Sequence, residues 1–180
     1  MTGKTAILIV HIACGTGALI LGLVSMFARK YNSLHTRAGE AYHWTMLGLF
    51  LTASTLAILD WARIWWFLPV AAGSYAFALV GYVAAKRRKE GWLHVHITGQ
   101  GGSYIAAVTA LLIVNWENLT GTRGVLSPWA WALPTVVGST ILFWLRREVA
   151  QGRRPKPPPR KPRKVRAPQP EAPVLEKLEL

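Results

Sequence analysis

The sequence predicts an all-α polytopic membrane protein: a four-helix transmembrane bundle, a fifth transmembrane helix and a disordered basic tail. Three observations predict it. Of the 180 residues 52% are apolar and 16% charged, whereas a soluble domain has about 45–50% and about 25%. Nearly all the apolar residues fall between positions 5 and 145, while 11 of the 21 Lys and Arg fall in the last 35 positions. The apolar part resolves into five runs, each near the roughly 20 residues a helix needs to cross about 30 Å of hydrocarbon.

Taken in order, the predicted spans are 5–28, 40–59, 64–85, 96–116 and 127–145, which make residues 1–145 a transmembrane domain and 146–180 a tail. Backbone groups in lipid must bond within their own segment, so the spans are helices and the breaks lie outside the hydrocarbon. The first break, Arg29 to Arg37, is polar, and Asp60 to Arg63 carries both signs of charge. Lys86 to Glu90 is a charge run, and Glu117 to Arg123 contains Asn118 and Gly121. The first apolar run is too long for a signal-peptide core, so a retained helix is expected. A lone cysteine, Cys14, excludes an intramolecular disulfide and a multi-cysteine metal site.

Lys and Arg on alternate sides of the spans number 18 and 3. Because basic loops stay in the cytoplasm, the richer side is read as cytoplasmic, with the amino terminus outside and the carboxyl terminus inside a bacterial inner membrane. Trp61, Trp65, Trp66, Trp116, Trp129 and Trp131 mark the outer interface, and Trp44, Trp92 and Trp144 the inner one. From Gly152 to Pro173 eight prolines alternate with Lys and Arg. Such a tail disfavours helix and strand, and it either contacts anionic lipid headgroups, binds a partner protein, or is simply solvated. The net charge of +13 does not favour a nucleic-acid partner, because the basic residues sit between apolar runs or in the tail and not on a folded aqueous face.

Ionisable and polar residues inside the spans are the default place to look for function. His11 is followed by Gly15, Ala18 and Gly22 on one face of the first helix, a stripe suited to a close helix neighbour or to a flat cofactor. At the inner side stand His35, His43, His94 and His96. If the second helix begins early, His35, Gly39, Tyr42, His43 and Met46 share a face. In the fourth helix His96, Gln100, Ser103, Tyr104 and Ala107 do the same. The two stripes start at one depth, which suggests that His43 and His96 face each other.

Facing imidazoles on two membrane helices have the chemistry to ligate a b-type haem, with Arg37 and Lys86 to Arg88 near enough to pair with its propionates. A zinc or copper site using His94 and His96 with His35 and His43 competes, although His94 and His96 point about 200° apart if both are helical. Interfacial histidines that make only structural hydrogen bonds are the third reading. His35-x-Arg37 with Glu40 can hold a proton-transfer pair, or Glu40 can complement the positive end of the second helix at its start. Hydrolytic catalysis finds no Ser-His-Asp set that the topology brings together. The functional expectation is therefore a haem-binding or redox membrane subunit, against a non-enzymatic scaffold or assembly factor that holds a membrane protein partner, and against the histidine metal site.

His11-x-x-x-Gly15, the segment His35-Thr36-Arg37-Ala38-Gly39 with Tyr42, the residues Tyr75 and Gly81, and the run Gly101-Gly102-Ser103-Tyr104-Ile105-Ala106-Ala107-Val108-Thr109-Ala110 resemble the bacterial predicted membrane proteins of domain-of-unknown-function family 2306. The resemblance covers about residues 5–116. It implies a bacterial inner-membrane location and a four-helix core, and it carries no assigned activity.

Overall fold

The computed structural model describes residues 3–30 and 32–153. Five long helices, each long and apolar enough to cross a membrane, make up almost all of it. They are α1 (Gly3–Phe27), α2 (Ser33–Leu59), α4 (Phe67–Arg87), α5 (Trp92–Thr120) and α6 (Pro128–Ala150); the short α3 (Trp61–Ile64) precedes α4, and a 3-10 turn (Gly124–Leu126) precedes α6. Large apolar side chains point outward all along these helices, Phe27, Leu119 and Phe143 among them. A bundle with its apolar side chains outside is built for lipid as solvent.

Helix ends differ from the hydropathy boundaries for local reasons. α2 starts at Ser33, seven residues before the expected 40, because the Asn32 side chain accepts the Ser33 amide at 2.6 Å. An Asn N-cap of this kind satisfies an otherwise orphan donor. α5 starts at Trp92, not 96, behind Gly91, whose φ of 71° stops the chain from continuing out of α4. The expected span 64–85 is divided by a bend between α3 and α4. Pro69 then lies in the first turn of α4, where its missing N–H costs nothing. α6 runs on to Ala150, so residues 146–150, expected in the disordered tail, are helical; an ion pair of 2.8 Å between Arg153 and Glu148 closes this end. The expected disorder and contacts of the tail from 154 onward lie outside the described residues.

α1 and α2 form one antiparallel hairpin and α4 and α5 another. α2 packs on α4, α1 meets α5 over a shorter stretch, and α6 lies outside the four, against α5. This leaves α2 and α5 diagonally opposed and parallel. One end of the bundle, here the basic end, carries Lys30 and Lys86 to Lys89; the other carries Asp60, which joins Lys4 at 2.8 Å and ties α1 to α2. Glycines set the tightest approaches. A Cβ on Gly99 would lie 2.6 Å from Gly81 Cα, so α4 and α5 touch backbone to backbone. Gly22 of α1 sits against the rings of Tyr104 and Tyr42, and Gly15 against Leu49. The stripe Gly15, Ala18, Gly22 is thus a packing seam filled by protein side chains.

Candidate functional site

Polar side chains inside the bundle gather toward the basic end, in two groups. The first spans α2 and α5. His35 and His96 have ring centroids 6.3 Å apart with planes at 83°. Each ring is held through Nδ1: that of His35 donates to the Ser25 carbonyl at 2.9 Å, and that of His96 to the Gly81 carbonyl at 3.0 Å. A carbonyl only accepts, so both Nδ1 atoms carry a proton, and in the neutral imidazole Nε2 is then the nitrogen that keeps a lone pair. Neither Nε2 has a hydrogen-bond partner among the described residues. Lys30 shares the Ser25 carbonyl at 3.0 Å and also donates to Met26 O at 2.7 Å, which places a cation beside His35 at the C-terminal end of α1. Trp92 stands 6.1 Å from His96.

Two turns deeper, the Tyr42 hydroxyl meets Ser103 Oγ at 2.8 Å, with Ser103 fully buried and Tyr42 nearly so. The Ser103 hydroxyl also reaches Gln100 O at 2.9 Å, and Tyr104 donates to Leu19 O at 3.3 Å. His35 with His96 and Tyr42 with Ser103 are both 61 positions apart, so the polar stripes of α2 and α5 are in one register along parallel helices. The facing pair expected between His43 and His96 does not form; His96 faces His35. The physical reason is the early start of α2, which lifts His35 into the helix at the depth of His96 and carries His43 two turns further in.

His43 belongs to the second group, between α2 and α4. Its ring stacks on Tyr82 at 3.9 Å and 7°, and more loosely on Tyr75 at 5.8 Å. Tyr82 donates to Glu40 Oε1 at 2.5 Å and Lys86 donates to Glu40 Oε2 at 2.7 Å. His43 is 5% exposed, and its buried Nδ1 has no hydrogen-bond partner among the described residues. With α2 starting at Ser33, Glu40 is in the third turn, not at the helix start, so its partners are Tyr82 and Lys86 in place of the helix macrodipole. Sequence reading missed this group; the spacing of Tyr82 and Lys86 at i and i+4 on one helix was the available signal.

The remaining expected residues are dispersed. His94 is helical and turned away from His96, with a buried Nδ1 that lacks a hydrogen-bond partner among the described residues. Among the described residues no three His, Cys, Asp or Glu side chains converge as a metal would require, so the site expected from His35, His43, His94 and His96 is not assembled. Arg37 is exposed on α2. His11 lies toward the other end and meets Thr52 Oγ1 through Nδ1 at 3.1 Å, while the Thr52 hydroxyl donates to Gly48 O at 2.7 Å. His11 therefore donates, and it links α1 to α2.

No family model, curated protein or solved structure matches the chain.

Proposed function

We propose that the protein is a redox subunit of the bacterial inner membrane, in which His35 and His96 ligate one transition metal at the basic end, haem b iron in the first instance. The observation that carries the reading is the geometry of this pair. Two imidazoles that would ligate one metal must stand close to a shared point, and the ring centroids of His35 and His96 are 6.3 Å apart. Each Nδ1 is already pinned by a backbone carbonyl, which is how metal-ligating histidines fix their tautomer and present Nε2. Bound haem would supply one-electron chemistry. The chain's own part is to hold two imidazoles in register on rigid helices and to place Lys30 and Arg37 at the same end for anionic propionates. A copper ion is the second candidate, since it would need the pair but no slot for a macrocycle.

The proposal includes orientation: basic end in the cytoplasm, amino terminus outside. The 18 to 3 division of Lys and Arg supports it. It also includes kinship with domain-of-unknown-function family 2306, supported by the fact that the resemblance runs over the four helices that form the core.

The test is the absorption spectrum and metal content of the full-length protein, purified in mild detergent after growth with added haem precursor and with copper. A Soret band, or stoichiometric copper, that is lost in both His35→Ala and His96→Ala and kept in His43→Phe is the expected result. Protein with neither haem nor copper, or with a spectrum that survives both alanine variants, overturns the reading.

A further inference from the structure

At the basic end, the last turns of α4, the loop after it and the first turn of α5 line an open groove of about 430 Å³. Its walls are apolar, chiefly Val80, Val83 and Ala84 of α4 and Val95 of α5, and Val80 and Val95 are largely exposed. Its mouth is charged: Arg87, Lys89 and Glu90 line it beside Trp92. The neighbouring cations are engaged elsewhere, Lys86 with Glu40 at 2.7 Å and Arg88 over the Trp92 ring at 5.3 Å. The side chains of Arg87 and Lys89 make no hydrogen bond or ion pair among the described residues.

We propose that this groove binds one anionic phospholipid with a hydroxyl-bearing headgroup, such as phosphatidylglycerol. The argument is charge and depth complementarity. An acyl chain lies along the valine wall, which faces hydrocarbon. Its phosphodiester then reaches the level at which α4 ends, where Arg87 and Lys89 have charge to offer and Trp92 sits at the interface. Glu90 beside them repels a bare anion such as free phosphate and accepts from a glycerol hydroxyl. Basic pockets between transmembrane helices are suited to anionic headgroups for the same reason. The site is built from α4, α5 and the loop that joins them, and does not depend on a metal at His35 and His96.

The experiment uses the full chain in bilayers of phosphatidylglycerol and phosphatidylethanolamine in equal amounts, with a trace of phosphatidylglycerol bearing a photoreactive acyl chain. Adducts are mapped by peptide mass spectrometry, and retained lipids are counted by native mass spectrometry. Labelling within residues 79–95 is expected, with one phosphatidylglycerol fewer retained in Arg87→Gln/Lys89→Gln and binding about thirtyfold weaker, from two headgroup cations removed. Val83→Trp, which fills the apolar wall and leaves the charges, should lose the same adduct. Equal labelling by a photoreactive phosphatidylethanolamine, adducts confined to other segments, or unchanged labelling in both variants overturns the proposal.

Discussion

Replacing Gly99 by alanine tests whether the contact between α4 and α5 sets the position of His96. A Cβ at Gly99 would come within 2.6 Å of Gly81 Cα, Gly81 N and Phe77 O, all backbone atoms, against 3.4–4 Å for ordinary contact. Backbone cannot rotate aside as a side chain can, so α5 must move off α4 by about 1 Å. Overpacking of this kind costs about 1–3 kcal/mol; at about 2 kcal/mol a domain of this size loses roughly 4–8 °C in melting temperature. The same shift stretches the 3.0 Å bond from His96 to Gly81 O, one turn away, so His96 loses its anchor. The assay is thermal stability in detergent, read as surviving monodisperse protein after heating, together with the absorption of any bound metal. Gly73→Ala is the control: Gly73 is exposed on the partner helix α4, with nothing within 4 Å of the added carbon, and alanine is the better helix former. If Gly99→Ala melts within about 1 °C of Gly73→Ala, where mutations away from packed features are expected to fall, the close approach does not hold the helices and the reasoning fails.

Three further outcomes follow from the same geometry. Tyr42→Phe removes the 2.8 Å bond to Ser103 between α2 and α5 and should cost about 0.6–1.7 kcal/mol, as interhelical bonds in membranes do; a double-mutant cycle with Ser103→Ala should show coupling, and additive losses would contradict it. Glu40→Gln removes the partner of Lys86, but with side chains 55% and 36% exposed the pair is screened by solvent, so the loss should stay under about 1 kcal/mol by thermal unfolding. Lys4 donates a hydrogen bond that holds the Asp60 carboxyl below its ordinary value of 3.8. A depressed acid stabilises the fold above its unfolded value and loses that contribution as pH falls through its folded one. Stability measured downward from pH 5 should therefore fall below about pH 4 in the wild type by more than in Lys4→Met; identical profiles would show that the contact does not form.

Much of the candidate site was legible before the chain was folded. The stripes His35, Gly39, Tyr42, His43, Met46 and His96, Gln100, Ser103, Tyr104, Ala107 correspond member by member at the separation of 61 that the structure uses. What failed was the choice of partner: His35 was on the stripe if the helix began early, but with the span starting at 40 the pairing with His96 was given to His43. Hydropathy measures how much of a helix lies in hydrocarbon, whereas a helix runs on through the headgroup layer until a capping residue stops it. The Asn32-Ser33 pair carried that signal. The group of Glu40, Tyr82, Lys86 and His43 was not legible, since it joins residues up to 46 positions apart across two helices.

The sequence alone determined the all-helical class, the five long apolar helices and the gathering of polar residues toward the basic end. Those follow from free energies that act residue by residue: the cost of charges and open backbone groups in hydrocarbon, and the period of the helix. Only the tertiary structure decided that His96 faces His35, that His43 stacks on Tyr82, and that Arg87 and Lys89 are left over at the mouth of a groove. These are questions of which helices are neighbours and how closely they approach. Glycine contacts such as Gly81 with Gly99 settle them, because short-range packing between backbones, which no single segment encodes, sets the distance and rotation of each pair of helices.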